Sequence, residues 1–120
     1  MRWLRTWSRS RRGRRHDVLV AALRTAVAGG DAGAAAALLA PGVLAVIDDG
    51  HARPELAGAG DVASTLLSTL GAPTVVSVNG QDGLLGRVDG RVAVASVSAR
   101  RGRIDRVWIT TDPRKLSQWI

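Results

Sequence analysis

At 120 residues the chain is long enough for one small core and too short for two. It contains no cysteine, which excludes a disulfide framework and thiolate metal sites and leads one to expect a reducing, cytoplasmic setting. The net charge of +7 misleads as an average, because residues 1–15 hold seven of the seventeen basic side chains and no acid, leaving ten basic and ten acidic groups balanced over 16–120. The high charge belongs to the N-terminus and is no argument that the folded body binds nucleic acid.

Sixteen of the seventeen basic residues are arginine, a preference that a GC-rich coding bias produces as readily as phosphate recognition does. No apolar run reaches the roughly 20 residues of a membrane-spanning helix, and no signal-peptide pattern follows the N-terminal charges. Residues 1–15 lack helical or strand patterning and are expected to form a disordered tail, with the folded domain over 16–120. Trp3, Leu4 and Trp7 interleave with Arg2, Arg5 and Arg9 there. Three readings of this tail stand side by side: contact with an anionic membrane surface, non-specific contact with nucleic acid, or a remnant of a linker.

The first helix is predicted from His16-Asp17, with Leu19, Ala22, Leu23, Ala26 and Val27 on one stripe and Gly29-Gly30 stopping it. Asp31 caps an alanine-rich second helix over 32–39, which Pro41-Gly42 ends. Val43 to Ile47 reads as a short apolar strand, Asp48-Asp49-Gly50-His51 as a turn, and 52–60 as loop. A third helix is predicted from Asp61, as its cap, to Leu70, with Val62, Leu66, Leu67 and Leu70 inward and Gly71 closing it.

The remainder reads as a meander of strands at 75–79, 84–88, 91–98 and 103–111. Asp89-Gly90 between two alternating runs is a strong hairpin signal, since both central residues of a type I′ turn need positive φ. Asn79-Gly80-Gln81-Asp82-Gly83 and Ala99-Arg100-Arg101-Gly102 are the other predicted connections. Asp112-Pro113 breaks the last strand ahead of a short helical turn, and Trp119 is expected to anchor the C-terminus on apolar surface. Helices followed by such a meander make an α+β domain with a curved antiparallel sheet. The alternation of Val92 with Val94 and of Val107 with Ile109 suggests that the outer side of that sheet also needs cover, which a homodimer would provide.

Asp48, Asp49 and His51 form the one place where carboxylates and an imidazole cluster in sequence. Paired acids push their pKa values apart and a histidine shuttles protons near neutrality, so Asp49 and His51 are the catalytic candidates. If the preceding strand persisted, they would share a face. The plainer reading is a solvated turn, because Asp and Gly are turn formers. No third ligand is at hand for a metal, and neither metal nor cofactor is expected. Trp108 stands mid-strand and, with no Phe or Tyr in the chain, is the largest group available to fill the core or floor a pocket.

Leu38-Leu39-Ala40-Pro41 before an apolar strand and Asp49-Gly50, then Val78-Asn79-Gly80 before the meander, and Asp112-Pro113-Arg114-Lys115-Leu116 after it, form an ordered set. In order and spacing this set resembles the SnoaL-like branch of the nuclear transport factor 2-like superfamily, closest to the C-terminal domain of certain extracytoplasmic-function sigma factors. The resemblance spans about 16–119 and departs from the pattern at His51, Ala52, Asp112 and Arg114. It implies a cone in which a bent sheet wraps N-terminal helices around a pocket, to which Asp48, Asp49, His51, Asn79 and Trp108 are assigned. It implies as well an interaction segment of Asp112, Pro113, Lys115 and Leu116, with a sigma factor or RNA polymerase as partner and a small apolar ligand as pocket occupant. The promoter-reading sigma domains are not in this sequence, so promoter recognition does not carry over. Enolising members of the superfamily pair an aspartate base with a tyrosine hydroxyl. This chain has no tyrosine. The expected function is therefore a non-enzymatic binding module, with an Asp/His isomerase, cyclase or hydrolase as the alternative.

Overall fold

The computed structural model describes residues 11–119. Three helices, α1 (Arg11–Ala28), α2 (Ala32–Ala37) and α3 (Ala59–Leu70), pack on one face of a six-stranded sheet. The strands are β1 (Leu39–Asp48), β2 (Glu55–Ala57), β3 (Thr74–Val78), β4 (Gln81–Val88), β5 (Arg91–Arg100) and β6 (Arg103–Thr110). Their spatial order is β2-β1-β6-β5-β4-β3, and the sheet does not close on itself. All junctions are antiparallel except β1–β6, which is parallel because the chain returns to β1 only after α3 and the whole meander.

Most predicted elements stand, with shifted ends. Helix α1 starts at Arg11 rather than near His16, while residues 1–10 of the expected tail lie outside the described residues. Asp31 caps α2 as expected, its carboxylate accepting the Ala34 N–H at 2.9 Å. The cap of α3 is Gly58, with Asp61 inside the first turn, where a carboxylate offsets the exposed N–H groups. The segment expected as loop over 52–60 contains β2, recruited by pairing with β1 at Leu44–Val46.

Asp89-Gly90 turns as expected, and the other two meander turns are tighter than the sequence suggested. Asn79-Gly80, Asp89-Gly90 and Arg101-Gly102 each connect two strands with both residues at positive φ. One turn chemistry is thus used three times, and Arg101 occupies a conformation that costs a side chain with a Cβ about 1 kcal/mol.

The inner face carries the main core: Val20, Leu23 and Val27 of α1, Val62, Leu66 and Leu70 of α3, and Leu84, Ala93, Ala95, Val107 and Ile109 of the sheet. Small residues on β4 and β5 let the helices lie close. A Cβ at Gly86 would fall inside the van der Waals envelope of the Leu70 backbone, so α3 ends directly on β4. The outer face carries a second, smaller core. Val92 and Val94 are covered by Leu116, with Val78, Leu85 and Trp119 around them. The cover that alternation demanded for Val92 and Val94 therefore comes from the chain's own C-terminal segment, while Val107 and Ile109 face inward under the helices. No helix among the described residues is long and apolar enough to cross a membrane.

Candidate functional site

The two motifs that stood out in sequence, 64 residues apart from Gly50 to Arg114, meet in space. Strand β1 ends at Asp48, whose side chain is nearly inaccessible, at 1% exposure, and whose carboxylate takes the Lys115 ammonium in direct contact. Asp48 Oδ1 also accepts the Gly50 N–H at 3.0 Å, and the Arg53 guanidinium stands 3.8 Å from Oδ2. The backbone closes the same joint, with the Thr111 N–H donating to the Asp48 carbonyl at 2.9 Å.

Asp112 is the second buried acid, and it is held by Arg114 through the backbone N–H at 3.1 Å and the Nε at 3.3 Å. Arg114 Nη2 reaches across to the Gly50 carbonyl at 3.3 Å. Gly50 is required twice over: its φ is +92°, and a Cβ there would lie 2.8 Å from the Asp112 carboxyl carbon. A glycine in the turn, an acid after β6 and two cations beyond it make one clamp. Sequence reasoning recognised each motif and missed their pairing, because nothing local in either signals the other.

These contacts decide the protonation of the carboxylates. The hydrogen bond from Lys115, then that from Gly50, holds Asp48 below the ordinary carboxylate range. The Ala52 and His51 N–H groups, each 2.8 Å from Oδ1, do the same for Asp49, and Arg114 does so for Asp112. All three are stabilised as anions, which makes them weak proton acceptors.

Asp49 and His51 do not share a face, since β1 stops at Asp48 and the chain turns. Both are exposed at the tip of that turn. Trp108, which the sequence offered as a core filler or a pocket floor, does not fill the core: it lies on the outer face of β6 with 41% of its surface accessible, because Val107 and Ile109 take the inward positions. The five residues assigned to one pocket are thus dispersed. Asp49 borders a groove of about 950 Å³ with Arg87, Arg91, Val92, Pro113 and Leu116. Asn79 and Trp108 border a smaller outer concavity of about 270 Å³. Asp48 is sealed beneath Lys115. Among the interaction residues, Asp112 and Lys115 serve the clamp, while Pro113 and Leu116 line the groove.

Sequence reasoning overlooked two groups. Arg53 joins the clamp to the outer face, its guanidinium lying 5.9 Å from the centroid of the Trp108 ring. His16 is buried, with Nε2 2.8 Å from the Val97 carbonyl, so it ties α1 to β5. Among the described residues, no three of His, Asp and Glu converge on a point where one metal ion would sit.

No protein-family model matches the chain, and no curated protein matches it. Solved structures do. The extracytoplasmic-function sigma factor SigJ of Mycobacterium tuberculosis superposes with a TM-score of 0.65 at 24% identity over 85% of this chain. The chain spans 44% of that sigma factor's length. A nuclear transport factor 2-like protein from Burkholderia xenovorans gives a TM-score of 0.64 at 17% identity, covering 92% of this chain and 97% of its own. A candidate polyketide cyclase from Xanthomonas campestris gives 0.59 at 23% identity, covering 91% and 96%. At these identities the likeness is one of fold.

Proposed function

We propose that this chain, which has the nuclear transport factor 2-like, SnoaL-like fold of those structures, is a non-enzymatic interaction module that modulates transcription by contacting a sigma factor or RNA polymerase. The observation that carries the reading is the clamp between 48–50 and 112–115. It commits the two buried carboxylates, Asp48 and Asp112, to holding two segments together, and the product is a fixed groove wall.

That groove suits a peptide segment. Val92 and Leu116 supply an apolar floor, and Arg87 and Arg91 stand on one side with Asp49 and Asp89 also at the border. Apolar anchors ringed by charges of both signs are the usual composition of a protein contact. The fold shared with a sigma factor supports the choice of partner.

The acid–base alternative draws less support. Asp49 is held as an anion by turn amides, His51 sits at an exposed tip, and no tyrosine exists to hold an oxyanion. The test is binding of the purified chain to RNA polymerase core, with and without sigma factor, by biolayer interferometry. Association that Arg91→Glu weakens tenfold or more is the expected result. No association at micromolar concentrations overturns the proposal.

A further inference from the structure

The open half of the outer sheet face is unlike the rest of the surface. Trp108 stands near its centre, in register with Val46 of β1 and Ser96 of β5. The Arg53 guanidinium stacks over its ring, and Arg106, two residues earlier on the same strand, is exposed on the same side. Beside the indole opens the concavity of about 270 Å³, which Trp119 borders from the C-terminal turn. Between the two indoles lie neutral hydrogen-bonding groups: the hydroxyls of Ser96 and Thr110 and the side-chain amides of Asn79 and Gln118.

Charge is distributed unevenly over this face. Among the described residues no carboxylate lines the concavity, and Lys115 stands at its edge. Asp48 is buried and already matched by Lys115, while Glu55 is exposed on the edge strand opposite Val46. A body that is neutral in sum thus presents Arg53 and Arg106 beside an exposed tryptophan.

We infer that this face binds single-stranded nucleic acid, with a base stacked in the concavity against Trp108 and Trp119 and the backbone phosphates held by Arg53 and Arg106. Stacking on an aromatic side chain suits any base, because each presents a π-face, and the cations supply the salt-dependent share of the affinity. The hydroxyls and amides meet base edges or the sugar. A sheet face with an exposed aromatic on a central strand is a form of platform that single-stranded nucleic acid uses. A neutral carbohydrate would also stack on indole but gives the two guanidinium groups nothing to pair with. The concavity shares Leu116 with the groove beside the clamp and is otherwise lined by different residues.

The test is fluorescence anisotropy of labelled oligo(dT) and oligo(rU) 12-mers with the full chain, repeated with a duplex of the same length. Seven arginines lie in residues 1–15 and would add a salt-dependent contribution with any polyanion, which the variants separate from that of the face. Trp108→Ala is expected to weaken single-strand binding about 5- to 100-fold while leaving duplex binding within twofold. Trp108→Phe is expected to restore most of it. The Arg53→Ala, Arg106→Ala double variant is expected to lower the magnitude of the log Kd against log salt slope by about 1.4. The inference is overturned if Trp108→Ala binds single strands as the parent does, or if single strand and duplex bind alike. It is also overturned if sedimentation shows a dimer of the parent chain that Trp108→Ala dissociates.

Discussion

The two faces of one sheet are finished by different means. The inner face is covered by three helices and carries a continuous apolar core, with Gly86 shaped to the end of α3. The outer face is covered over only part of its area, by a short C-terminal segment pinned through ion pairs. Hydrophobic burial is roughly proportional to area and needs no fixed orientation, so helices suffice inside. A segment as short as 112–119 buries little area, and directional contacts must fix its position. The comparison teaches that Asp48 and Asp112, the most conspicuous acids of the fold, are fasteners of the thinly covered face.

The sharpest way to break the comparison is on the inner face. Gly86→Ala pushes a methyl group into the Leu70 backbone and is expected to destabilise by about 3 kcal/mol, measured by urea unfolding. Leu116→Ala tests the outer cover. It removes the buried centre of the small core and is expected to cost about 2–3 kcal/mol. Trp108→Ala, on the open half of the same face, is expected to cost under about 1 kcal/mol. Equal losses for Leu116 and Trp108 would mean that the two halves are not differently covered.

Acid probes the fasteners together with the Asp49 turn. The pKa values of Asp48, Asp49 and Asp112 are lowered by folding, so their contribution is fully present above the ordinary carboxylate range, about pH 4, and is lost as pH falls through the lower folded values. Lys115→Met removes the largest cause at Asp48 and is expected to flatten the fall in stability below about pH 4, read from thermal melts between pH 2 and 7. An unchanged acid limb would show that the Lys115 contact does not hold the segment. The smallest effect is expected at the last hairpin, where Arg101→Gly relieves a positive φ and should stabilise by roughly 0.5 kcal/mol in the same melts.

Hydrophobic period and turn chemistry are local, and they place α1, α3, β5 and the Asp89-Gly90 hairpin from the sequence alone, apart from the ends of the helices and strands. They failed where pairing decides. β2 exists because β1 offers an edge, and 11–15 are helical although their own patterning did not ask for it. Trp108 shows the same limit: period two says that it opposes Val107 and Ile109, but not which of the two sets faces the helices.

The three helices, the strands of the meander, the Asp89-Gly90 turn and the two acid-bearing motifs follow from residues acting on their immediate neighbours, so the linear chain was enough to specify them. Which carboxylate meets which cation, and which side of the sheet each apolar set lines, depends on segments more than 60 residues apart arriving together. Such pairings are fixed by packing and long-range electrostatics, and these exist only once the chain has folded.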